Sequence, residues 1–151
     1  MGINPFDPRA ALLAKHAQHV VLIHFPIALF LAGVLFDFLG KWTRNSALET
    51  TAYFNFLFAA IAALPAVATG LLAWQWALEG QKLQGVLLLH LIFGWLSALL
   101  IWTVWLLHRL VRQRNHSEFS AYLLGLESIG VVVVALTGHL GGFLSGVNGP
   151  N

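Results

Sequence analysis

The sequence predicts an all-α integral membrane protein, an up-down-up-down bundle of four transmembrane helices. Three observations carry this. First, 58% of the chain is hydrophobic and 9% is charged, whereas soluble domains run to roughly 45–50% apolar and 25% charged residues. Mean hydropathy is correspondingly high, at +0.77. Second, four apolar segments are each long enough to cross about 30 Å of hydrocarbon at a rise of about 1.5 Å per residue. Third, the connections "GKWTRNSALET", "EGQKLQG" and "HRLVRQRNHSE" are short, and short loops join antiparallel neighbours. No segment alternates polar and apolar residues, as a membrane barrel requires. At 151 residues the chain reads as a single transmembrane domain over 1–151.

The elements follow in order. In "FDPRAALLAKHAQH", Asp7 then Pro8 reads as a helix start, an N-cap followed by proline at the first helical position. Either a short N-terminal interfacial helix begins there, or helix one begins early. The first span covers 20–39. It is too long for the core of a signal peptide and is followed by no small-residue cleavage site. Pro26 frees the carbonyl of Leu22, and Asp37 is spaced to pair with Lys41 at i+4. The second span covers 52–78, and Pro65 inside it should bend the helix. The third covers 86–107 and the fourth 119–144. Glu127 lies inside the fourth, where a carboxylate is costly. It reads as a proton-relay or quinone-contacting group, or as the partner of Asn55 or Asp37 at a similar depth. Trp42, Trp74, Trp76, Trp102 and Trp105 fall near span ends as an interfacial belt, with Trp95 deeper.

Charge sets the expected topology. Lys41, Arg44, Arg109, Arg112 and Arg114 flank one side, and Arg9, Lys15 and Lys82 the other. The positive-inside rule then puts both loops of the first group inside and both termini outside; the expected setting, on the resemblance given below, is a multi-pass protein of a bacterial inner membrane. The sequence pI near 9.4 therefore reports topology, not nucleic-acid binding. With no cysteine, disulfides, iron–sulfur clusters and thiol catalysis are excluded as intrinsic features. There is no HExxH, no Gly-rich phosphate loop and no legible nucleophile–base pair. An enzyme acting alone is not expected.

The histidines carry the most chemistry. His24, His90 and His139 each lie about one turn from the outer end of a different span, with His16 and His19 slightly above. His108 and His116 lie at the opposite end, without a histidine counterpart on another span. Continuing each face by i+4, i+7 and i+8, His90 stands above Gly94, Ser97 and Ala98, and His24 above Ala28, Leu31 and Ala32. Two imidazoles above lanes of small side chains suit bis-histidine haem b, with room for the macrocycle. The bland alternative is close helix packing through small residues. A copper or zinc ion on His24, His90 and His139 is a second alternative. A third is a non-catalytic accessory subunit with hydrogen-bonded histidines.

"HVVLIHFPIAL" from His19, "TG" at Thr69–Gly70, His90 opening the third span, and "GHLGGFLSGV" from Gly138 together resemble DUF2231, a family of small four-span bacterial membrane proteins. Its pattern is similar to "HPxxVHFPIAL…G…H…GHxGG…G", and the resemblance extends over all four spans. Val20 stands where the family usually has proline. By position the family histidines fall on His19, His24, His90 and His139. Relatives occur beside cytochrome c or Rieske-type modules, so the resemblance implies an electron-transfer setting. The expectation is a membrane electron-transfer subunit of a larger respiratory or photosynthetic complex. It would hold haem b through His24 and His90, with His139 as alternate ligand or propionate partner and His19 at a second site. Its partners would be the lipid bilayer, other redox subunits and quinone.

Overall fold

The computed structural model describes residues 15–76, 80, 82–114 and 120–146, with backbone only at 15–17, 114, 120 and 121. Helices α1 (Lys15–Thr43), α2 (Ser46–Trp76), α3 (Gly85–Arg114) and α4 (Ser120–Leu144) account for nearly all of it, and no strand occurs among these residues. All four are long and apolar enough to span a membrane. Asp7–Pro8, Glu79 and His116 lie outside the described residues, so the interfacial-helix reading does too.

The helices run past most of the span limits read from hydropathy. Hydropathy marks the hydrocarbon stretch, but nothing stops a helix there. At 29 to 31 residues, α1, α2 and α3 are about 45 Å long, enough to reach through both headgroup layers. What stops α1 is local. Arg44 adopts a left-handed backbone (φ 54°). The next residue, Asn45, donates its N–H to the Gly40 carbonyl at 2.9 Å. Asn45 Oδ1 then accepts from Ala47 N at 3.0 Å and caps α2.

Packing follows the chain. The α1–α2 interface is the most extensive, α3–α4 forms a second hairpin, and α2 and α3 join the two. The α1–α4 contact is the weakest of the four between neighbouring helices. It leaves an apolar groove of about 520 Å³ between Leu31, Leu35 and Phe38 of α1 and Leu124, Ser128 and Val131 of α4. Helices α1 and α3 are diagonal.

The buried face of α2 is a line of alanines (Ala52, Ala59, Ala60, Ala63, Ala66) broken by Phe56. Small residues let membrane helices approach closely, since hydrophobicity alone gives no drive between them in lipid. Two aromatic rings fill the space that glycines leave. Phe56 lies on Gly33, where a Cβ would meet the ring at 2.7 Å, and Phe30 lies on Gly130, where it would meet the ring at 2.6 Å. Phe30 and Phe56 are 5.7 Å apart between ring centroids. Large apolar side chains such as Phe25, Leu35, Phe54, Leu64, Leu99 and Val132 face outward. In a chain with four membrane-spanning helices this outward face is the lipid contact, and the bilayer is its surroundings.

Candidate functional site

Two polar clusters stand at opposite ends of the bundle. His90 and His108 are eighteen residues apart on α3, so the clusters are separated by about 27 Å, close to one hydrocarbon thickness.

At the histidine end, His19 of α1 and His90 of α3 meet across the bundle diagonal. Their ring centroids are 6.5 Å apart and their planes 79° apart. Each ring rests on a glycine. A Cβ at Gly70 would lie 2.9 Å from His19 Cε1, and one at Gly141 would lie 3.2 Å from His90 Cε1. Hydrogen bonds hold both rings. His90 Nδ1 donates to the Thr137 carbonyl at 3.1 Å, because a carbonyl can only accept. Thr69 Oγ1 donates its own proton to the Pro65 carbonyl at 2.8 Å, with Ala66 O also in reach at 3.1 Å. It also lies 3.3 Å from His19 Nδ1. His90 thus carries hydrogen on Nδ1, and the Thr69 hydroxyl engages His19 at Nδ1. Below them, Thr137 Oγ1 donates to Val133 O at 2.8 Å and accepts from Ser97 Oγ at 2.8 Å.

The expected opposition of His24 and His90 is not what the fold assembles. His24 is on an exposed face of α1, and its Nδ1 donates to the Val20 carbonyl at 2.6 Å. Ala28, one turn below, is exposed as well. The reason is angular: His19 and His24 are five residues apart, which at 3.6 residues per turn separates them by about 140°. His139 is on an exposed face of α4, edge-on to Phe143 at 5.0 Å. Among the described residues, His24, His90 and His139 form no three-ligand group. Gly94 and Ala98, on the face below His90, are half-buried, and nothing lies within 4 Å of where a Cβ on Gly94 would stand.

At the acidic end, His108 Nε2 donates to Glu127 Oε1 at 2.7 Å. The expected i+4 pair is present, with Lys41 Nζ donating to Asp37 Oδ2. Ligand atoms of Asp37, His108 and Glu127 lie within 4.8 Å of one another. Helix α2 contributes the Phe56 ring, 4.7 Å from the His108 ring. Glu127 is 0% exposed and Asp37 2%. Glu127 Oε2 has no hydrogen-bond partner among the described residues. Of the two partners expected for Glu127, Asp37 is nearby. Asn55 instead donates to its own helix at Thr51 O, 2.9 Å away. The partner that sequence reasoning missed is His108.

A family model described as "Predicted membrane protein (DUF2231)" matches residues 15–149. The chain belongs to the DUF2231 family. The match takes in all four helices, so both ends of this DUF2231 bundle, His19 to His90 and Asp37 to Glu127, lie within the family's extent. No curated protein and no solved structure matches the chain.

Proposed function

We propose that this DUF2231 protein is an electron-transfer subunit of a larger membrane complex, binding b-type haem near the outer face through His19 and His90. The observation that carries the reading is that pair of imidazoles. His90 Nδ1 donates to the Thr137 carbonyl, and His19 Nδ1 is bonded to the Thr69 hydroxyl. Metal-ligating histidines almost always donate their second nitrogen in this way. One metal ion between two imidazole nitrogens at about 2 Å each, on opposite sides, puts the ring centroids roughly 6 Å apart. His19 and His90 stand at 6.5 Å.

A bound haem supplies a one-electron redox centre. The roles of the chain's residues then follow. His19 and His90 would hold the group through their imidazoles. Thr69 and the Thr137 carbonyl hold the rings in orientation. Gly94 and Ala98 keep side-chain volume away from the flank of His90. The electron would pass between a donor at that face and quinone or a neighbouring cofactor in the complex. A copper ion on the same two histidines is the competing occupant, since imidazole suits copper well.

The test is a reduced-minus-oxidised spectrum of the purified protein in detergent, with a pyridine haemochrome assay and metal analysis. A Soret shift with a b-type alpha band, lost in His19→Ala and His90→Ala and retained in His24→Ala, is the expected result. Stoichiometric copper without haem would shift the assignment to the copper occupant. A featureless, metal-free spectrum from folded protein would sink the proposal and favour an accessory structural subunit.

A further inference from the structure

We infer that the acidic end is a second, separate site: Asp37, His108 and Glu127 bind a divalent transition-metal ion, and Lys41 is its built-in competitor. The geometry comes first. One imidazole nitrogen and two carboxylate oxygens, from three different helices, converge within 4.8 Å of one another. Ligands about 2.0–2.2 Å from one ion must lie about 4 Å apart or closer, so binding asks for small side-chain adjustments and, at His108 Nε2, for the proton it now donates to Glu127 to leave or move to Nδ1. One histidine with two carboxylates suits zinc, manganese or iron(II).

The second observation is independent of that convergence. Glu127 Oε2 is buried without a partner among the described residues. A buried acceptor left unsatisfied is costly, and it marks where a cation or donor belongs.

Charge explains Lys41. An ammonium and a divalent cation repel each other and compete for the same carboxylate, so Lys41 and the ion exclude one another at Asp37. A divalent ion balances the two carboxylates by itself once the ammonium withdraws. Lys41 can withdraw, because its side chain is 22% exposed and extends from the last turn of α1 toward the surface. The same path is the ion's route in. At present Lys41 occupies Asp37 at Oδ2.

The experiment uses the full chain in lipid nanodiscs, stripped with chelator and titrated with Zn2+. His19→Ala/His24→Ala/His139→Ala serves as the background, which breaks the His19–His90 pair and removes the exposed imidazoles as rival zinc sites. One Zn2+ per chain is expected, weakened at least tenfold by Glu127→Gln. Lys41→Gln is expected to bind several-fold more tightly than its parent. Should Glu127→Gln fail to fold, as judged by thermal melting, Lys41→Gln decides alone. No stoichiometric zinc, binding that survives Glu127→Gln, or an unchanged or weakened affinity in Lys41→Gln would each overturn the site. In that event the cluster is a hydrogen-bonded ion-pair network and no more.

Discussion

His19 and His90 stand 6.5 Å apart across the bundle diagonal, and neither reaches the other through a neighbour on its own helix. What holds them there is a threonine on each flanking helix, Thr69 on α2 and Thr137 on α4. The pair is thus fixed by all four helices, and changes in those flanking helices should be read out at the rings.

Thr69→Val tests this on α2. The substitution keeps the shape and removes the hydroxyl bonded to His19 Nδ1. Loss of such an orienting bond weakens metal affinity by about 10–100-fold. Titration of the apo-protein with haem, followed at the Soret band, is expected to show a loss in that range with little change in melting temperature.

Ser97→Ala tests the bond just below. It removes the donor to Thr137 Oγ1, while Thr137 keeps its own bond to Val133. Interhelical hydrogen bonds in membranes average about 0.6 kcal/mol. Equilibrium unfolding in mixed micelles should register a loss of that size. Thr137→Val should lose more, because it also leaves the Ser97 hydroxyl without its acceptor.

Two glycine substitutions should part company. At Gly130 a Cβ would lie 2.6 Å from the Phe30 ring, whereas at Gly94 nothing stands within 4 Å. Gly130→Ala is expected to destabilise the fold by about 1–3 kcal/mol through overpacking. Adding Phe30→Leu should recover part of that loss. Gly94→Ala should match or exceed the parent in stability by up to about 1 kcal/mol, since alanine favours helix. Thermal melts of the variants in one detergent make the comparison.

Asn45→Ala removes the cap of α2 at the α1–α2 turn, where Asn45 Oδ1 accepts from Ala47 N. A lost N-cap costs about 1 kcal/mol. Asn45→Asp should retain the bond and the stability, which a melt of the pair will show.

The four helices were legible because hydropathy over twenty residues is a coarse, summed signal that no single side chain can mask. Depth was legible for the same reason, and the histidines of α1 and α3 do share one end. Rotation was not. His24 was favoured over His19 because it stands inside the apolar run, yet the 140° between them settles that only one can face inward. The buried alanine line of α2 marks which side of the bundle is closely packed, and it was passed over in favour of the lanes under His24 and His90. The Asp37, His108 and Glu127 cluster is hidden in the sequence because its members are of different residue types on three helices, and only their common depth links them.

The Phe30 and Phe56 rings bear on how the protein is made. Phe30 sits on Gly130 of α4, Phe56 fits Gly33 of α1, and Phe56 also lies against His108 of α3. Two side chains therefore touch all four helices at one level. During biogenesis the α1–α2 pair and the α3–α4 pair can each enter the bilayer as a hairpin before they meet laterally. Sliding one hairpin along the other by a single turn would take Phe30 off its glycine and His108 off Phe56. Only one vertical alignment seats both rings, and that alignment also brings His19 level with His90 and Asp37 level with His108.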